Sequence, residues 1–169
     1  MKTIQNICTN TSEGHILLFT TGKKEIEKLS RFYVENLPQN ILVFPYFSEM
    51  PNAVKYKGDV QVIETKLSNY NFDRSSFIDF MFKLIKEDQI KKTNVKYSRV
   101  VIIATNVAEA SITIENLRFV VEMGYFNFVG YNYDTGLPII KKEKINENSR
   151  LQRRGRTGRV CPGTVYYMY

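Results

Sequence analysis

The sequence has 169 residues, 43% of them hydrophobic and 24% charged, and a formal net charge of +7. That is the size of one ordinary domain, long enough to bury a real core and too short for a two-domain motor; no apolar run reaches the roughly 18–20 residues of a membrane span, so no membrane partner is expected. Two isolated thiols, Cys8 and Cys161, and a single histidine, His15, supply neither a zinc ligand set nor a histidine-based triad, and no metal site is expected in this chain.

The opening segment lacks the apolar core of a signal peptide, so a reducing, intracellular compartment, cytoplasmic or nuclear, is expected. The basic balance permits a polyanionic partner, although a solvated basic surface accounts for composition alone equally well. The distribution tells more. Six arginines and lysines lie between Lys141 and Arg154, and Arg156 and Arg159 follow beside glycines that expose backbone.

In chain order, His15–Phe19 reads as a short buried strand ended by Thr20-Thr21-Gly22. A helix is expected from about Lys23 to Asn36, because Ile26, Leu29, Tyr33 and Leu37 recur at helical spacing before Pro38. Ile41–Phe44 reads as the next strand, closed by Pro45, and strand–helix–strand suggests a parallel βαβ unit. Over 52–97, Val60–Ile63 reads as a strand. Ser75 reads as the N-cap of a helix with Phe77, Phe80, Met81, Leu84 and Ile85 on one side, and 91–94 as a polar loop. Val100–Ile103 has the unbroken apolar character of a central parallel strand. Leu117–Val121 and Thr164–Tyr169 are further strands, and 125–141 forms a hairpin turning at Asp134-Thr135-Gly136. The hairpin aromatics are assigned mainly to packing, with base stacking as the alternative.

The most specific block is Gln152-Arg153-Arg154-Gly155-Arg156-Thr157-Gly158-Arg159. On a helix beginning near Asn148, Gln152, Arg156 and Arg159 are four and three residues apart and share a face. Gly155 and Gly158 each cost about 1 kcal/mol of helix propensity relative to alanine, which makes sense where a backbone or phosphate must come close. Guanidinium forks bind phosphate oxygens bidentately and stay charged at any relevant pH. A second block, Ala104–Ile114, follows a buried strand directly, and α/β sheets place ligands at the carboxyl ends of their strands. Thr105 and Asn106 there offer a hydroxyl, an amide and backbone N–H groups to a phosphodiester. Thr21 and Gly22 stand at a strand-to-helix turn whose open N–H groups suit an anion; a plain helix N-cap explains them as well.

QRRGRTGR resembles motif VI of superfamily-two helicases. Its leading glutamine resembles the DEAH/DExH branch. Ala104–Ile114 resembles motif V of that branch, and Gly14–Gly22 is similar to motif IV. The order of motif V, strand, hairpin, motif VI and final strand is also that of the family. The ending Gly158–Thr164 leans toward viral relatives such as poxvirus-type nucleoside triphosphatase helicases, for which a virion or virus factory is a further location. The resemblance covers about 14–38 and 98–169. It implies a RecA-like α/β domain over 1–169, with a mostly parallel sheet flanked by helices, a β-hairpin between motifs V and VI, and an insertion at about 52–97.

The resemblance also implies a function: the second motor domain of an ATP-dependent RNA or DNA helicase. Gln152, Arg156 and Arg159 would act in catalysis, the arginines as fingers and Gln152 on the attacking water. Ser111, Thr113, Glu115 and Gly155 would approach the nucleotide, and Thr21, Gly22, Thr105, Asn106 and Glu109 the single strand. Relatives commonly carry Asp where this chain has Glu115, and the adenine-stacking aromatic has no aligned counterpart. The sequence holds no GxxxxGK[ST] loop and no Asp-Glu-x-His or Asp-Glu-x-Asp box. By the resemblance those belong to a first RecA-like domain of the same protein, which would hold the Mg2+ of the ATP. The isolated domain is therefore expected to be inactive. The alternative is a RecA-like module that binds nucleic acid without catalysis. RNA and DNA are not distinguished, because phosphate contacts carry little sugar information.

Overall fold

Strands covered by helices on both faces of a sheet need apolar side chains at successive positions, not alternate ones. In the computed structural model, which describes residues 1–50, 67, 70–110, 113–159 and 161–169, three segments of that kind are buried along their whole length. They are β1 (His15–Phe19), β2 (Ile41–Tyr46) and β3 (Arg99–Ala104). With β4 (Leu117–Glu122) and β7 (Thr164–Tyr167) they form a five-stranded sheet in the order β2-β3-β1-β4-β7. Every pairing is parallel. A separate antiparallel hairpin, β5 (Tyr125–Asn132) and β6 (Leu137–Lys144), lies between β4 and β7 in the chain. This is the expected α/β architecture.

Helix α2 (Lys23–Asn36) buries Ile26, Leu29, Ser30 and Tyr33, one helical face, and packs on β2 and β3. Each fully buried aliphatic side chain contributes about 1.5–3 kcal/mol. The orphan carbonyls at the end of α2 are closed by Arg74, 2% exposed, which donates to the carbonyls of Val34, Leu37, Pro38 and Ile41 at 2.6–2.8 Å. Arg99, also buried, donates to the carbonyls of Thr11, Glu13 and Gly14 and to the Thr11 hydroxyl. His15 is a core residue: its Nδ1 accepts the Val100 N–H at 3.2 Å. Burial, and then the Arg99 charge, lower its pKa, so the neutral form is favoured.

Four elements differ from the sequence reading. The chain begins with a helix, α1 (Lys2–Asn10), which that reading lacks; Ile4 and Ile7 bury one short face. Strand β2 continues through Pro45 to Tyr46. It is an outer strand of the described sheet, where one side has no ladder for the missing N–H to break. Helix α3 (Arg74–Met81) is capped by Asp73, whose carboxylate accepts the Ser76 N–H at 3.0 Å, and not by Ser75. It stops before Leu84, which is 63% exposed, because Lys83 takes a left-handed φ of 66°. Helix α4 (Glu147–Arg154), capped by Asn146, ends before Gly155. Hence Arg156 and Arg159 do not lie on the helix, and the glycines tax no helix interior. The expected strand Val60–Ile63 lies outside the described residues.

Candidate nucleotide and nucleic-acid interface

Parallel strands bring their following loops to one edge, and at the carboxyl edge β1 and β3 are neighbours. The Thr20 N–H donates to Ala104 O at 2.8 Å, so the turn bearing Thr21 and Gly22 and the turn bearing Thr105 and Asn106 lie side by side. Thr105 stays extended and its hydroxyl accepts the Val107 N–H at 3.5 Å, starting a short 3-10 turn, Asn106–Glu109. Asn106 is exposed. Gly22 begins α2 without any side-chain cap, which leaves amides at that helix start for an acceptor. A Cβ on Gly22 would stand 2.6 Å from Asn127 Nδ2, so the Asn127 side chain at the base of the hairpin lies against this turn. Asn127 thus joins the edge, a placement that no sequence spacing signals.

The expected nucleotide-facing residues form a different surface. Arg153, on α4, bonds Glu122 at the carboxyl end of β4, whereas Thr157 Oγ1 donates to Leu117 O at the amino end, 3.1 Å away. Helix α4 and the turn after it therefore run the length of β4. Gly158, at φ +79°, makes a turn that a side chain would strain. The turn brings Arg156 and Arg159 toward the segment that enters β4, where Thr113 and Glu115 are exposed. Gln152 and Gly155 are exposed on the same stretch. Arg156 Nε donates to Gln152 O at 3.5 Å and Arg159 Nε to Gly155 O at 3.1 Å. Burial lowers the Arg156 pKa from its usual value; the Arg159 charge lowers it further and Glu109 opposes both. A guanidinium whose charge is disfavoured by burial and by a neighbouring cation is a fitting receptor for an anion. Ser111 lies outside the described residues.

Glu109, expected to face the single strand, is turned inward. Its Oε1 accepts from Arg153 Nε at 2.7 Å, and its side chain is 13% exposed. Arg153 and Glu122, each 1% exposed, complete the pair at 2.9 Å, and the guanidinium lies 4.8 Å over the Phe19 ring. Burial pushes the Glu122 carboxyl up, opposed by the Gly124 N–H, which donates at 2.6 Å, and by Arg153. Sequence reasoning assigned no role to either residue. One signal was present: a carboxylate closing the apolar run Val120-Val121 must be paired if the strand is buried.

The hairpin also departs from expectation. Tyr125 and Phe126 are half-buried, whereas Phe128, Tyr131 and Tyr133 are 45%, 53% and 90% exposed and stay out of the core, the last two meeting edge to face at 5.5 Å between ring centroids. Among the described residues no cluster of three His, Cys, Asp or Glu side chains could hold a metal ion, and the donors of both surfaces suit phosphate oxygens better than a cation. No helix among the described residues is long and apolar enough to cross a membrane.

A five-stranded parallel sheet flanked by helices, with a separate antiparallel hairpin between its fourth and last strands, is the fold of a RecA-like helicase C-terminal domain. The family model for the helicase conserved C-terminal domain matches residues 1–161, and the chain belongs to that family. It is 36% identical over 170 residues to an ATP-dependent RNA helicase of Acanthamoeba polyphaga mimivirus, covering 99% of this chain and 9% of that protein. It is 28% identical over 167 residues to the ATP-dependent RNA helicase HrpA of Borreliella burgdorferi, covering 98% and 16%. A crystal structure of the E. coli DEAH/RHA helicase HrpB superposes with a TM-score of 0.66 over 98% of this chain and 17% of that one, at 23% identity, which speaks to the fold. The homologues are DEAH/DExH-type ATP-dependent RNA helicases, and the chain spans less than a fifth of the length of these relatives.

Proposed function

We propose that this domain is the second half of a composite ATPase motor, supplying arginines to ATP hydrolysis and holding the backbone of a single strand of RNA. The observation that carries the reading is the paired presentation of Arg156 and Arg159 on the turn after α4, beside exposed Gln152. Phosphoryl transfer is accelerated mainly by positioning and charge neutralisation, and an arginine finger is worth about 10³–10⁵ in rate. Arg156 and Arg159 donate to the γ-phosphoryl oxygens, where charge grows in the transition state. Gln152 orients the attacking water. Ser111, Thr113, Glu115 and the open backbone at Gly155 contact the nucleotide. A first RecA-like domain of the same protein would complete the site and hold Mg2+, which would supply charge neutralisation at the phosphates.

At the carboxyl edge, Thr21, Gly22, Thr105 and Asn106 bond phosphates through hydroxyl, amide and N–H groups, which read no bases and so permit movement over any sequence. In this reading Glu109 does not touch the strand; it anchors the 3-10 turn that carries Asn106. Closing on ATP and reopening after hydrolysis then moves the strand in steps, and the hairpin parts a duplex at its mouth. The direct test is the steady-state ATPase of the whole protein. Arg156→Ala and Arg159→Ala are expected to lower it by about 10³ or more with the fold intact by circular dichroism. Wild-type turnover in both variants would remove the arginines from catalysis.

A further inference from the structure

We infer that Arg153 is a positioning residue that couples the strand-holding edge to the placement of Arg156 and Arg159; the inference rests on the function proposed above. The two surfaces are built on different elements, and a side chain that couples them must touch both. Arg153 does so. Its Nε meets Glu109, at the end of the turn that begins with Asn106, and its Nη1 meets Glu122 at 2.9 Å and Tyr125 O at 3.5 Å, where the hairpin leaves β4. Its plane covers Phe19, next to the turn carrying Thr21 and Gly22. In the other direction the Arg153 carbonyl accepts the Arg156 N–H at 3.2 Å, so a shift of Arg153 is passed by backbone to the first catalytic arginine. Glu109, bonded to Arg153, also acts electrostatically on the Arg156 guanidinium.

The network is buried and incompletely bonded: Arg153 Nη2 and Glu122 Oε2 have no partner among the described residues. A spare donor and a spare acceptor within one buried cluster give the guanidinium a second arrangement, bidentate on Glu122 through Nη1 and Nη2. Coupling of this kind requires an element with two discrete arrangements that both sites bias. Phosphate contact at Asn106 moves the turn and its Glu109, and that movement selects between the two arrangements.

The experiment uses the whole protein and Arg153→Lys, which keeps the charge and loses the fork that spans two carboxylates. Basal ATPase, ATPase stimulated by oligouridylate, oligouridylate affinity and amide exchange over 155–159 with and without the oligonucleotide are measured. The basal rate is expected to fall by less than the stimulated rate. The stimulation is expected to fall by about tenfold, within the range of coupling between sites, and the strand-induced change in exchange to vanish. Stimulation equal to wild type, or basal and stimulated rates falling by the same factor, would overturn the inference. If Arg153→Lys does not fold, Glu122→Gln is measured in its place, with the same outcomes deciding. Failure of the functional reading looks different: the wild-type protein would then show no strand-stimulated turnover, or Arg156→Ala would leave it intact.

Discussion

Arg74 and His15 carry much of the residue-scale physics, and each reads as something else in a linear sequence. Arg74 satisfies four carbonyls around the end of α2 while almost wholly removed from water. Arg74→Ala deletes the donors and leaves buried acceptors unpaired, which is expected to cost about 3 kcal/mol. Arg74→Lys, with three donors for four acceptors, should recover part of it; urea midpoints measure both. His15 is held neutral by burial and Arg99, with Nδ1 engaged by Val100. Its folded pKa is below the unfolded one, so below about pH 6.5 the unfolded chain binds the extra proton. The contribution to stability is full above that pH and declines on acidification toward the folded pKa. His15→Asn keeps an acceptor and removes the titration; its unfolding free energy should change less between pH 7 and pH 5 than that of the wild type.

Among the elements, the hairpin carries its large side chains outside the core. Phe128, Tyr131 and Tyr133 stand in solvent, and Lys142 Nζ lies 4.8 Å over the Tyr125 ring nearer its base. Large exposed rings cost a monomer solubility, and retaining them points to contact with something else. Tyr131→Ala with Tyr133→Ala should leave thermal stability within about 0.5 kcal/mol of wild type. In the whole protein the same pair is expected to slow duplex unwinding while strand-stimulated ATPase persists. Equal loss of both activities would mean that the hairpin serves the ATP site and not the strand junction.

For the whole domain, the surface at the carboxyl edge offers mainly neutral donors, so under the proposed function it would engage few phosphates. The isolated 169-residue chain is expected to bind single strands weakly, with log K falling by about 0.7 per neutralised phosphate for each tenfold rise in salt. Thr105→Ala with Asn106→Ala should weaken homopolymers of every base about equally, as measured by fluorescence anisotropy. A loss confined to one base would mean that the edge reads sequence and is not a translocating grip. The same isolated chain should hydrolyse no ATP above background, because it has no phosphate loop.

How far the sequence alone reached follows from the range of the forces concerned. The strands at His15–Phe19 and Val100–Ile103, helix α2 and the hairpin turn are set by apolar period and turn chemistry, which are local. Motifs V and VI were legible because their residues stand close together in the chain. What only tertiary structure decided is where charges go once the chain is packed. Arg74, Arg99 and Arg153 look like solvated cations in sequence, yet each is buried against acceptors contributed by segments far along the chain. The end of α4 was misread for a related reason: helical spacing places Arg156 and Arg159 on one face, but Gly158 adopts a left-handed φ and the Thr157 hydroxyl ties the turn to β4. Glu109 could be assigned to the strand or to the core with equal local logic. In the folded chain Glu109 bonds the Nε of buried Arg153, whose Nη1 is already held by Glu122, so the carboxylate satisfies a second buried donor of the same guanidinium.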